Sequence, residues 1–218
     1  MTYEIPVTKT QNPKPRPADE SKLGFAKYFT DHMFVMEYDE GKGWHSWRVE
    51  PHAPFLIEPA SAVLHYAQMM FEGMKAYRKP DGSIQLFRPD MNIARMKNTC
   101  ERMCMPEVPG VLFMAGLKAV IEADKDWVPS GKNTSLYIRP FMFGNDETLG
   151  VHAVKNATFI IITSPVGSYY KEGINPVKIM IESEDVRAVR GGTGEAKCGG
   201  NYAASNRAGE RAEKLGYS

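Results

Sequence analysis

Phe25 to Tyr38 (FAKYFTDHMFVMEY) is dense in aromatic and branched side chains. The polar turn Asp39-Glu40-Gly41-Lys42-Gly43 separates it from Trp44 to Val49, a pattern that predicts a β-hairpin. Between Ala60 and Ala76 the apolar residues Val63, Leu64, Ala67, Met70, Phe71 and Met74 recur at intervals close to three and four. This spacing predicts a helix ending near Glu72-Gly73. Ile84 to Phe87 reads as a short strand after the Pro80-Asp81-Gly82 turn, and Asp90 is the expected N-cap of a helix from Met91 to Met103, stopped by Pro106 and Pro109. A second helix is expected over Leu112 to Asp124, an alternating strand over Leu136 to Phe143, and a continuously apolar, buried strand over Thr158 to Thr163.

The expected class is therefore α/β, in an α+β arrangement of two domains. Pro13, Pro15 and Pro17 among charged neighbours make residues 1–22 an extended, solvated arm. Residues 23–165 form a small N-terminal α/β domain. The Gly-, Pro- and Tyr-rich segment PVGSYYKEGINP places an interdomain connection at 166–176. Residues 177–218 are expected to begin a second domain, with strand-like structure at Val177 to Ile181 and a helix over Asn201 to Leu215. About forty residues are fewer than an independent core requires, so this second domain is expected to be incomplete in the chain.

Composition narrows the function classes. Lys and Arg number 27 and Asp and Glu 26, so 27 − 26 = +1, which excludes a basic nucleic-acid arm or an acidic tail. The apolar content, 43%, is enough to bury a core. The segment MTYEIPVTKTQNPKPRP lacks the apolar stretch of a secretion signal, and the longest apolar run falls short of the roughly 18 residues of a membrane span, so a cytoplasmic location is expected. Cys100, Cys104 and Cys198 fit neither a disulfide framework nor a zinc site, and the two on the predicted helix are expected to pack. The histidines at 32, 45, 52, 65 and 152 lack metal-ligand spacing and are read as structural.

The candidate chemistry is concentrated in Gly191-Gly192-Thr193-Gly194-Glu195-Ala196-Lys197-Cys198-Gly199-Gly200-Asn201-Tyr202, where one lysine sits in a backbone that glycines leave uncluttered. Neither the P-loop nor the dinucleotide fingerprint is satisfied, because their glycine and Gly-Lys-Ser/Thr positions are otherwise occupied. Two readings of Lys197 remain open on this motif alone, a surface turn and an amine nucleophile that attacks a carbonyl.

Seven segments bear on the choice: FTDHM at 29–33, LHYAQMMFEGMKAY at 64–77, LFRPDMNIARM at 86–96, LYIRP at 136–140, NDETLGV at 145–151, PVGSYY at 165–170 and GGTGEAKCGGNYAAS at 191–205. In order and spacing they resemble the branched-chain amino acid aminotransferases, fold-type IV enzymes that use pyridoxal 5′-phosphate. The resemblance implies that Lys197 forms a Schiff base with the cofactor and then shuttles a proton, that Arg95 grips the cofactor phosphate, and that Tyr202 bonds the ring hydroxyl. It puts Arg187 near the cofactor, although a structural ion pair explains that residue equally well. It assigns Phe25, Tyr66, Phe71, Tyr137, Arg139 and Tyr169 to the substrate pocket. Leu149-Gly150-Val151, with Tyr66, matches a part that reaches the neighbouring subunit's site in relatives, which implies a homodimer. The implied reaction moves an amino group between leucine, isoleucine or valine and 2-oxoglutarate. A D-amino acid aminotransferase or aminodeoxychorismate lyase would share Lys197 and Arg95 but not the pocket segments, and a catalytically inactive cofactor-binding protein is the alternative of a different class.

Overall fold

The computed structural model describes residues 3–168 and 175–217. The expected hairpin forms as β1 (His32–Asp39) and β2 (Gly43–Pro51), antiparallel and joined at Asp39↔Gly43. The N-terminal segment is extended as expected but it is not solvated throughout. Pro6 and Thr8 exchange backbone hydrogen bonds with Val49, Thr10 N–H donates to His32 Nε2 at 2.9 Å, and Lys14 N–H donates to Asp31 Oδ1 at 2.8 Å. The arm thus caps the exposed edge of β2, satisfying ladder groups that an edge strand would otherwise leave unpaired.

The helix expected over Ala60 to Ala76 does not form. Only α1 (Ala62–Tyr66) is helical, because Ala67 turns into the left-handed region at φ 50° and ends it. The chain then runs as two short strands, β3 (Met69–Phe71) and β4 (Met74–Arg78), both antiparallel to β6 (Ser135–Gly144). Glu72 and Gly73 interrupt what is otherwise one strand, although Glu72 N–H still donates to Pro140 O at 2.7 Å. A side chain at Gly73 would push Tyr137 aside, since its Cβ would lie 2.5 Å from Tyr137 Oη.

β5 (Ile84–Leu86) and β7 (Asn156–Val166) complete a seven-stranded antiparallel sheet in the order β2-β1-β7-β6-β4-β5, with β3 beside β6. Helices α2 (Pro89–Arg102) and α3 (Gly110–Ala123) cover one face. Arg88, not Asp90, is the N-cap of α2: Pro89 occupies the first helical position, where its missing N–H costs nothing, and Asp90 stays in the first turn. On the covered face Phe34, Met36, Leu136, Ile138, Met142, Phe159 and Ile161 pack on Leu112, Phe113, Leu117 and Val120. Each strand residue alternates sides, so Val35, Phe141, Phe143, Ile160 and Ile162 form a second, smaller apolar cluster on the opposite face.

Asp124, which ends α3, receives both the Nδ1 of His32 (2.6 Å) and the His32 backbone N–H (2.9 Å), with both side chains buried. His32 is therefore structural, as expected. Cys100 packs in the core, where burial pushes its thiol up to about 12. Cys104 lies beyond the end of α2 and is exposed, against expectation.

After the described part of the chain resumes, Val177 to Ile181 forms no strand. Ile179 and Ile181 point outward with no apolar layer of the described residues against them. The helix expected over Asn201 to Leu215 is two helices, α4 (Gly199–Ala203) and α5 (Asn206–Lys214), broken at Ala204-Ser205. Among the described residues no helix is long and apolar enough to cross a membrane.

Candidate active site

The segment around Lys197 joins the sheet at the edge of β3. Cys198 bridges Met70, and Phe71 N–H donates to Lys197 O at 3.0 Å. This register turns Cys198 inward with Met70 and leaves Lys197 on the face of Phe71. The lysine Nζ donates to Tyr202 Oη at 2.6 Å and stands 4.5 Å above the Phe71 ring and 4.8 Å from the Tyr202 ring. The five-residue spacing between Lys197 and Tyr202 brings them together because α4 begins right after Cys198 and winds the phenol back over the amine.

The same sheet face carries the next residues outward. Phe71 and Tyr202 meet edge to face at 4.7 Å, Arg139 lies 4.6 Å over Phe71, and its Nη2 donates to Tyr137 Oη at 2.9 Å. Phe25 packs on Tyr137 at 5.0 Å. Lys197, Tyr202, Phe71, Arg139, Tyr137 and Phe25 thus form one continuous group, drawn from four separate stretches of sequence.

Arg95 lies on α2, within electrostatic reach of Tyr202. Its Nε and Nη2 each donate to Glu72 at 2.7 Å, a bidentate fork onto a fully buried carboxylate. Asn92 Nδ2 (2.8 Å) and Gly73 N–H (3.2 Å) complete the coordination of Glu72. The Glu72 hydrogen bond raises the Arg95 guanidinium above its ordinary value against partial burial, and the neighbouring Tyr202 adds to the rise. Nη1 of Arg95 makes no hydrogen bond among the described residues, which leaves one donor edge free.

The remaining expected residues fall elsewhere. Arg187 is exposed and donates to Gly194 O at 3.3 Å, which ties it to the glycine-rich loop and not to Lys197 itself. Tyr66 Oη donates to Leu149 O, so Tyr66 and the Leu149-Gly150-Val151 loop sit together, with Val151 exposed. No described contact connects that pair to Lys197. Tyr169 lies outside the described residues. No group of His, Cys, Asp and Glu among the described residues has the geometry of a metal site.

Three contributors carry no signal that sequence reading used. Glu72 holds Arg95. Thr99 Oγ1 accepts the Lys197 N–H at 3.0 Å. Asn201, buried, spans the glycine-rich loop by donating to Thr193 O (2.6 Å) and Ala196 O (2.7 Å) while accepting from Thr193 Oγ1 (2.9 Å). Asn92, Arg95 and Thr99 recur at three and four residues along α2, a polar stripe that could have marked the face turned to the site.

The fold is that of the fold-type IV aminotransferases. A branched-chain aminotransferase of Thermoproteus uzoniensis, solved with norvaline, superposes at a TM-score of 0.63 over 85% of this chain and 58% of its own, with 24% identity. An aminotransferase of Brucella abortus bound to the cofactor PLP superposes at 0.55 over 84% and 60%, with 16% identity. In sequence, branched-chain-amino-acid transaminase 1 of Bacillus subtilis is 53% identical over all 218 residues. Over its whole length the chain is similar to curated branched-chain aminotransferases. It spans about three-fifths of the length of the curated relatives it matches. No family model matches it.

Proposed function

We propose that this chain carries the lysine-bearing part of a pyridoxal 5′-phosphate-dependent branched-chain aminotransferase. The observation that supports it most is the grouping of the Lys197 amine, the Tyr202 phenol and the Phe71 ring, with Arg95 held rigidly beside them. These side chains fit that cofactor: an amine for its aldehyde, a phenol for its ring hydroxyl, and a guanidinium with an unused donor edge for its phosphate. When bound, pyridoxal phosphate supplies an electron sink for charge developing at the amino acid Cα.

The protein's own share is positioning and proton transfer. Lys197 reacts only as the free amine, and the Tyr202 phenol orients its Nζ. With cofactor and substrate bound, the same Nζ would be the base that takes and returns the Cα proton. Glu72 keeps Arg95 in one rotamer, so the guanidinium meets a phosphate without first being ordered. Arg139 and the Tyr137 hydroxyl face the same space and supply donors for a substrate carboxylate, while Phe25 and Phe71 give an apolar wall for a branched side chain. Arg187 serves by bracing the glycine-rich loop from its rim.

We assign Tyr66, Leu149 and Val151 to the site of a second copy in a homodimer. Their separation from Lys197 and the exposure of the apolar Leu149 and Val151 support that assignment. Tyr169 is assigned to the substrate pocket on resemblance alone. Residues 23–165 are assigned to a small N-terminal α/β domain and 177–218 to the start of a cofactor-binding domain; the outward Ile179 and Ile181 support a further packing layer there.

Amino transfer to 2-oxoglutarate tests the reading. Transfer from leucine, isoleucine or valine, with none from D-alanine, is expected. Transfer from D-alanine alone would favour the D-amino acid enzymes of the same fold, and binding of pyridoxal phosphate without any transfer would favour an inactive cofactor-binding protein.

A further inference from the structure

Both backbone polar groups of Lys197 are held by the N-terminal part of the chain. Its carbonyl accepts from Phe71 N–H, and its N–H donates to Thr99 Oγ1, each at 3.0 Å. Thr99 is 1% exposed, so this hydrogen bond is shielded from water and has no solvent substitute. Thr99 also lies on α2 four residues after Arg95, one turn along the same face, which sets the two about 6 Å apart along the helix axis. A single rigid turn therefore carries the group that fixes the lysine backbone and the guanidinium clamped by Glu72.

We propose that Thr99 is a positioning residue, and that the α2 turn from Arg95 to Thr99 sets the separation between the Lys197 amine and the anion held at Arg95. This rests on the cofactor reading above and deepens it. Asn201 complements Thr99 by closing the loop on the other side of Lys197, since its three hydrogen bonds tie residues 193 and 196 together and leave the lysine side chain as the loop's projecting group. The aldehyde and the phosphate-bearing methylene of pyridoxal phosphate sit on adjacent ring carbons, which bounds their separation, so a misplaced lysine backbone would carry the amine away from the aldehyde while Arg95 holds the phosphate.

The test is titration of the purified chain with pyridoxal phosphate, read by the absorbance of the Schiff base, for the unaltered protein, Thr99→Val, Thr99→Ser and Thr99→Ala. Valine keeps the shape and loses the acceptor, whereas serine keeps the hydroxyl and loses the methyl. Thr99→Val is expected to weaken Schiff-base formation about tenfold, the effect of leaving one buried N–H unpaired, and Thr99→Ser to stay within about twofold. If valine does not fold at this site, the serine and alanine variants differ by the hydroxyl alone and read the same bond. Thr99→Ser weakening as much as Thr99→Ala, or Thr99→Val folding and binding as the unaltered chain does, would overturn the proposal while leaving the cofactor reading intact. No Schiff base in the unaltered protein would overturn the cofactor reading itself.

Discussion

Replacing Arg95 by Met separates a structural role from a chemical one. Glu72 is fully buried and its carboxylate holds two Arg95 bonds, both at 2.7 Å, together with Asn92 and Gly73. Removing one partner of a buried pair strands the other, at a typical cost of about 3–5 kcal/mol. Arg95 is half exposed and Asn92 and Gly73 remain, so the lower end applies, about 3 kcal/mol. For a chain of this length that corresponds to a fall in Tm of roughly 6–12 °C. The assay is thermal or urea unfolding of Arg95→Met, Glu72→Gln and the double variant. The double variant is expected to lose less than the sum, by about 1–2 kcal/mol, because it no longer strands a carboxylate. A Tm for Arg95→Met within the small range of ordinary surface substitutions, or strict additivity in the double variant, would refute the clamp.

Three further outcomes follow from the geometry. Gly116→Ala is expected to destabilise by about 1–3 kcal/mol in urea unfolding, since its Cβ would lie 2.5 Å from Phe34 in the core; Phe34→Leu in the same chain should recover part of the loss. Burial, then the charge of Lys14, holds His52 below its ordinary value, so its contribution to stability is present above the unfolded imidazole range and is lost as pH falls through the depressed folded value. Lys14→Met should move the His52 imidazole titration upward in NMR, though not to the ordinary value, and an unchanged titration would count against the charge effect. The Arg211 hydrogen bond, with backbone N–H bonds from Glu184 and Asp185, brings Glu182 down from 4.5 to about 2. That tie between α5 and the 182–185 segment is full above the unfolded carboxylate value and is lost as pH falls through about 2, so amide exchange in α5 should accelerate in that acid window and not above it.

Much of the N-terminal fold was legible because its signals were local. The hairpin followed from dense apolar runs either side of Asp39 to Gly43, and α2 and α3 from their proline borders. The misread helix after Ala60 shows where locality fails. Met70 faces the helices and Phe71 faces the site, so strands apolar on both sides imitate three-and-four spacing, and only Ala67 in the left-handed region and pairing with distant β6 decide the outcome. Within the site, Lys197 and Tyr202 stood out in a glycine-rich frame. Glu72 and Thr99 did not, because their importance comes from partners 23 and 98 residues away, a relation that periodicity does not encode.

The most direct measurement is borohydride reduction of the protein with pyridoxal phosphate, followed by peptide mapping. A pyridoxyl group on Lys197, absent from Lys197→Ala, is the predicted result. A label spread over other lysines, or one that persists in Lys197→Ala, would contradict the account.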